Sequence, residues 1–436
     1  MEKYQQYVNS GFDWVGEIPA QWNNMRLRFV CEFRNGYTPS KANPDFWQDG
    51  IIPWYRMEDI RDTGRKLNEA KQYVTKDAIK GGGLFEAGSF ILATTATIGE
   101  HAVLIVDSLA NQRFTNLKIR KSLSHSLLRD YFFYYLFVID DYCKATTKTS
   151  TFPAVSMELL KNCHVVFPSL QEQMAIISYL DKKCSEIDKV ISAQQKRIAL
   201  LQELKQSVIT HAVTKGLDPN VKMKDSGVEW IGEVPSHWEV VHLKQALKSF
   251  QDGTHGTYKN VDHGRVLLSA KNVTEQGLVI GENERIISEE DYSEIVSNGF
   301  PKKGDVLLCC VGTIGRCCIF VEPAPVAFQR SVTFLRTNKR LLNKMLLFIL
   351  KNQYVVTQLN LFAKTSAQSG VYMGDLVNFH IAVPPLLEQQ MIVDYLDKKC
   401  FEIDSSISKA QHQVELLQEY KQSLITEVVT GKRKVS

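Results

Sequence analysis

The feature that most constrains this 436-residue chain is that it is written twice. Gly11, Trp14, Gly16, Glu17, Pro19 and Trp22 recur as Gly227, Trp230, Gly232, Glu233, Pro235 and Trp238, a shift of 216 residues (227 − 11). Residues 168–214 and 384–430 lie at the same shift and are identical at 28 of 47 positions, which chance does not give. Shorter echoes fall between: Gly88 with Gly304, Thr97-Ile98-Gly99 with Thr313-Ile314-Gly315, and Lys148-Thr149-Ser150 with Lys364-Thr365-Ser366. Gln112-Arg113 and Gln329-Arg330 match after a one-residue slip. A fixed period means one unit repeated, so the fold is two copies with alike ends and divergent middles.

The alike parts read as long helices. Leu180, Cys184, Ile187, Ile191, Ile198, Leu201, Val208 and Ala212 keep the 4,3 spacing of a coiled-coil seam, and Leu396, Cys400, Ile403, Ile407, Val414, Leu417, Leu424 and Val428 repeat it. Ser169 with Glu172 three residues on predicts a capping box, and Gly216 and Gly431 mark the stops. Each helix is expected to run about 46 residues, or roughly 69 Å. The polar seam residues Gln194, Lys205 and Lys421 suit register-setting positions. Two helices packed independently, each on its own domain, are the alternative.

The divergent parts read as mixed β and α. Residues 89–92 and 101–106 flank the Thr97-Ile98-Gly99 turn, and 306–310 and 317–321 flank its copy, as hairpins do. Apolar runs at 131–139 and 341–350 predict short helices ahead of the Lys-Thr-Ser loops. Only residues 215–226 separate the first long helix from the second head. The second helix therefore pairs with the first by running back, antiparallel, and the expected shape is a rod with a head at each end. Such spacing of two readers suits a two-part linear target.

Composition narrows the class. With 44% hydrophobic residues the chain has core material enough to exclude a disordered or fibrous protein. No apolar run approaches the ~18 residues of a membrane span, and the start at Met1-Glu2-Lys3 lacks a signal-peptide pattern, so a cytoplasmic protein is expected. Nine cysteines without a regular framework fit reduced thiols. The charge, 52 Lys and Arg against 48 Asp and Glu, is only +4 and does not by itself suggest nucleic acid.

Together the repeated Gly-x-x-Trp-x-Gly-x-[Ile/Val]-Pro-x-x-Trp opening at 11–22 and 227–238 and the Pro-x-x-x-Glu-Gln helix start at Pro168 and Pro384 resemble the specificity (S) subunit of Type I restriction-modification enzymes. Gly36-Tyr37-Thr38-Pro39-Ser40 with Ile52-Pro53-Trp54, and Asp252-Gly253-Thr254-His255 with Leu268-Ser269-Ala270-Lys271-Asn272, are similar to openings of its recognition domains. The resemblance implies an α+β fold: two mixed α/β target recognition domains joined by a long antiparallel two-helix coiled coil, with a pseudo-twofold internal repeat. The corresponding domains are 1–166, 167–215, 216–382 and 383–436. It further implies a non-catalytic subunit that reads a bipartite double-stranded DNA site from the major groove, its helices acting as a ruler. Two methyltransferase subunits and the restriction subunits would be the partners. S-adenosylmethionine, ATP and Mg2+ would be used there, with no cofactor in this chain.

The chemistry inventory agrees. Asn43-Pro44-Asp45-Phe46 departs from an amino-methyltransferase loop at its second proline position and reads as a turn, and there is no phosphate-binding Gly-x-x-x-x-Gly-Lys loop. Asp45 with Glu69 and Lys71 fits a loose nuclease pattern that the second half lacks. Cys309-Cys310 and Cys317-Cys318 invite a zinc reading, but neighbours on a strand point to opposite faces. A stand-alone nuclease or methyltransferase and a coiled-coil protein-binding scaffold remain the rival readings.

Base reading needs Arg or Lys for guanine and Asn or Gln for adenine, with Lys, Arg and hydroxyls for phosphate. In the first head the candidates are Tyr37, Thr38, Ser40, Lys41, Arg56, Glu58, Gln112, Arg113, Lys148, Thr149 and Ser150. In the second they are Thr254, His255, Thr257, Tyr258, Lys271, Asn272, Gln329, Arg330, Lys364, Thr365 and Ser366. Lys118, Arg120 and Lys121, and Arg336, Lys339 and Arg340, form candidate basic strips.

Overall fold

In the computed structural model the described residues are 3–147, 154–321, 325–363 and 370–435. They form two compact units, one of Met1–Gln194 with His412–Ser436 and one of Gln195–Gln411. The boundary cuts both long helices, so each unit holds a head together with a stretch of each helix, rather than the helices forming domains of their own.

The first unit is built on a five-stranded sheet in the order Cys31–Asn35, Phe114–Ile119, Phe90–Ala93, His101–Leu104, Lys66–Leu67. Phe90–Ala93 is buried throughout, and its period of two sends alternate side chains into different cores. Phe90 and Leu92 join the helix Arg129–Thr146, while Ile91 and Ala93 join Tyr55, Met57 and Phe85 on the other side. A smaller sheet, Leu109–Ala110, Ile52–Tyr55 and Tyr73–Val74, flanks it.

The second unit repeats the scheme with Leu247–Asp252, Val332–Thr337, Val306–Cys309 and Cys317–Ile319, and a small sheet of Arg285–Ile287, Arg265–Leu268 and Val326–Phe328. Both hairpins expected around the Thr-Ile-Gly turns are present as antiparallel pairs. The four neighbouring cysteines divide between faces: Cys310 and Cys317 lie in one core, Cys309 and Cys318 in the other. Burial pushes the Cys310 and Cys317 thiols up to about 12. The helix expected at 131–139 extends over Arg129–Thr146, and the second head's apolar run continues past Asn352 as another helix, Gln353–Phe362.

The long helices run Leu170–Lys215 and Leu386–Val429. In the first unit Leu180, Cys184, Ile187 and Ile191 pack with Leu424, Ile425 and Val428, which makes the pairing antiparallel. In the second unit Ile209, Ala212 and Val213 pack in one core with Ile392, Val393 and Leu396. The polar seam residues meet partners: Lys421 Nζ lies 2.7 Å from Asp188 and Lys205 Nζ lies 2.8 Å from Asp404.

The repeated ends turn out to be joints between head and helix. Gln173, fully buried, accepts from Leu128 N–H and donates to the Ser126 and Pro168 carbonyls; Gln389 does the same with Leu342, Arg340 and Pro384. Of the expected capping box only half forms: Glu172 N–H donates to Ser169 Oγ at 3.4 Å, while the Glu172 carboxylate accepts from Tyr4. Gly431, at a left-handed φ of 73°, is packed against Pro19 and Trp22, and Gly216, at φ 76°, against Pro235 and Trp238. A glycine is required there twice over, by backbone hand and by the proline and tryptophan lying on it. The opening motif therefore seals the end of a long helix in each unit.

Candidate nucleic-acid interface

In each head one glycine lets two loops cross at close quarters. Gly36 follows the strand Cys31–Asn35, and a Cβ on it would lie 2.1 Å from the Asn111 carbonyl oxygen. Gly253 follows Leu247–Asp252, and its Cβ would lie 2.3 Å from the Gln329 carbonyl oxygen. Backbone bonds fix both crossings alike. Gly36 and Tyr37 N–H donate to Phe114 and Ala110, and Gly253 and Thr254 N–H donate to Val332 and Phe328. Each crossed loop closes its own turn, Phe114 N–H to Asn111 and Val332 N–H to Gln329.

These bonds correct the sequence match. Asn111 corresponds to Gln329, Gln112 to Arg330 and Arg113 to Ser331, so the two Gln-Arg echoes stand one residue out of structural register. The following strands set the register through their pairing with Cys31–Asn35 and Leu247–Asp252, and a dipeptide likeness has no hold on it.

Several candidates cluster at the first crossing. Thr38 is hydrogen-bonded to Gln112, and Ser40, Lys41, Gln112 and Arg113 are exposed beside it. Arg56 is different: it sits over the Trp54 ring and pairs with Glu58 at 3.0 Å, with its backbone N–H on Asp59. The Tyr37 hydroxyl is occupied inside the head, donating to the Ala78 carbonyl and accepting from Lys80 N–H.

At the second crossing, Thr254 Oγ1 and Tyr258 OH share a 2.7 Å hydrogen bond, His255 and Thr257 are exposed, and Gln329 and Arg330 pass alongside. Lys271 is turned to Glu284 at 2.7 Å. Asn272 is corrected outright as a base reader. It is 3% exposed, its carbonyl accepts from Ser269 N–H, and its amide donates to Val279 and Glu284. Lys148, Thr149, Ser150, Lys364, Thr365 and Ser366 lie outside the described residues.

Four of the six residues in the basic strips meet carboxylates, while Lys121 and Lys339 stay exposed. Lys118 meets Glu86, Arg120 meets Glu32 and Arg340 meets Glu239, while Arg336 clamps the buried Asp305 and lies 4.2 Å from the Phe300 ring. Asn43-Pro44-Asp45-Phe46 is a 3-10 turn whose Asn43 side chain accepts from Asp45 N–H. Lys71 pairs with Asp62, and among the described residues no group of three His, Cys, Asp or Glu is placed to hold a metal ion.

Sequence reading missed the residues just ahead of the two glycines. Asn35 pairs across the sheet with Thr115 and Asp252 with Thr333, each at the end of its strand. Burial raises the Asp252 carboxyl above its ordinary range, against the Thr333 hydrogen bond and His255. The strand–Gly–loop pattern, present in both halves, was the available signal.

The sequence model of the family described as Type I restriction modification DNA specificity domain matches residues 19–199 and again 235–415. The Type I restriction enzyme EcoprrI specificity subunit of Escherichia coli is 41% identical over 172 residues, 38% of this chain and 42% of that protein. The MjaVIII specificity subunit of Methanocaldococcus jannaschii is 25% identical over 437 residues, 96% of this chain and 94% of that one. A chain from a solved structure concerned with complex assembly and conformational transition of the type I R-M system superposes with a TM-score of 0.66 at 18% identity, covering 95% of this chain and 99% of its own length. Two family domains in tandem, each carrying the crossed-loop head and its helix, place this chain in the Type I restriction-modification DNA specificity family.

Proposed function

We propose that the chain reads a bipartite double-stranded DNA site, one half with each head, and holds the methyltransferase subunits of a Type I complex on it. The observation that supports this best is the same glycine crossing in two heads whose other loops differ: each presents hydroxyl, amide and guanidinium groups from a rigid backbone junction. Direct readout needs such groups held in place at a groove edge. The paired helices, with Lys205–Asp404 and Lys421–Asp188 in equivalent places, suit a ruler that fixes the unread gap.

In this reading catalysis belongs to partners: two modification subunits using S-adenosylmethionine and the ATP- and Mg2+-dependent restriction subunits, with no cofactor bound here. The protein works in the cytoplasm, and among the described residues no helix is long and apolar enough to cross a membrane. With a net charge of only +4, the isolated chain binds DNA weakly and without sequence preference, partners supplying much of the phosphate grip.

Mapping methylated adenines in a host carrying this chain and its modification subunit tests the proposal. Exchange of residues 23–165 for another head is expected to alter one half-site while the other half and the gap persist. Change in both halves, or methylation independent of this chain, would overturn it.

A further inference from the structure

Resting on that reading, we propose that Asn35 and Asp252 occupy one equivalent position in the two heads and set what each head reads: Asn35 a purine edge offering both acceptor and amine, as adenine does, and Asp252 the exocyclic amine of a cytosine.

Three observations make the positions equivalent. Each residue ends the strand that leads into the crossing glycine, Gly36 or Gly253. Each lies opposite a threonine on the neighbouring strand and accepts from its hydroxyl: Thr115 Oγ1 to Asn35 Oδ1 at 3.4 Å, Thr333 Oγ1 to Asp252 Oδ1 at 2.5 Å. Behind each threonine stands the same backbone position, Thr94 in the first head and Cys310 in the second, whose N–H bonds the strand-entry loop at Arg113 and Ser331. The frame is the same and the side chain differs by one group.

That one group decides the chemistry. An asparagine amide carries an acceptor and a donor in one plane, the complement of adenine N6 and N7; a carboxylate is acceptor only and complements an amine such as cytosine N4. Thr333 uses one of about four acceptor positions of the carboxylate and fixes its plane. Asp252 lies in a cleft of about 400 Å3 whose rim holds Thr254, His255 and Tyr258, with Phe328 and Phe334 deeper in. A carboxylate partly withdrawn from water on such a wall gains more from a donor than an exposed one does. The Asn35 side chain is exposed at the end of its strand.

The test uses the complete complex and methylome mapping. Asp252→Asn keeps the shape and the Thr333 bond, and it is expected to change the accepted base at one position of one half-site; Asn35→Asp is expected to change one position of the other. The gap stays fixed in both. A second measurement covers a variant that fails to methylate: binding of the purified wild-type assembly to duplexes in which half-site cytosines are replaced singly by 2-pyrimidinone, which lacks the 4-amino group. One replacement is expected to weaken wild type by roughly 5- to 150-fold and to make no further difference to an Asp252→Ala assembly. Unchanged half-sites in both variants, or equal binding of every 2-pyrimidinone duplex, would overturn the assignment while leaving bipartite reading intact. If the wild-type chain directs no bipartite methylation, it is the underlying function that fails.

Discussion

The two heads solve the same packing problem with opposite chemistry. In the first, His101 is fully buried, its Nδ1 lies 2.7 Å from Asp140 Oδ2, and Arg65 reaches the same oxygen at 3.0 Å while lying over the Phe137 ring. The second head has Cys317 and Val356 at the positions 216 residues on (101 + 216 and 140 + 216). The hairpin turn is seated alike in both: a Cβ on Gly99 would meet the Asp140 carbonyl oxygen, and one on Gly315 would meet the Val356 side chain. The backbone frame therefore tolerates an ionic or an apolar filling. A buried charge, however, is held only by its partners, so the first head is the more vulnerable to a single loss.

The comparison breaks most easily at Asp140. Asp140→Ala strands a guanidinium beside a buried imidazole and is expected to cost about 3–5 kcal/mol in urea unfolding, against about 1 kcal/mol for Val356→Ala. Equal losses would show that the trio contributes nothing beyond its volume.

The glycines test what the heads share. Gly36→Ala and Gly253→Ala each drive a methyl group into a backbone carbonyl and are expected to destabilise by about 1–3 kcal/mol. Each is also expected to lower methylation, through one half-site in each case. A variant with full activity would show that the crossing is dispensable.

The smallest effect is one of pH. Burial lowers the His101 pKa against the pull of Asp140. Its Nε2 has no partner among the described residues, which again favours the neutral ring. The unfolded chain, with a histidine near 6.5, then binds the proton more readily than the folded one. Stability from this group is fully present above about pH 6.5 and is lost as pH falls below it, by at most about 1.4 kcal/mol per unit. Hydrogen-exchange protection of residues 101–104 is expected to fall between pH 7 and 5.5 relative to that of 317–319. Parallel behaviour of the two strands would remove His101 as the cause.

Much of this was legible in the residues. The seam at 4,3 spacing gave both long helices to within a few residues, because a long apolar stripe can be buried only along a partner. The Thr-Ile-Gly turns marked the hairpins, and alternation on a strand already separated the four cysteines between two faces. Side-chain roles were less legible. Asn272 reads like a base-contacting amide in a polar loop, yet it ties that loop together, and Arg336 reads as surface charge while neutralising Asp305. Residue type states what a group can bond to, and neighbours from distant sequence decide what it does bond to.

By itself the sequence determined the duplication, the two helices and the twofold likeness of the heads, since each is a matter of period and identity along one chain. The tertiary structure alone decided which residues the repetition places at equivalent points. Strand pairing, not dipeptide likeness, aligned Gln112 with Arg330 and brought Asn35 and Asp252 to one position. That register is fixed by hydrogen bonds between strands some 80 residues apart (115 − 35 and 333 − 252), whereas the strand–Gly–loop pattern only marks where the crossing lies.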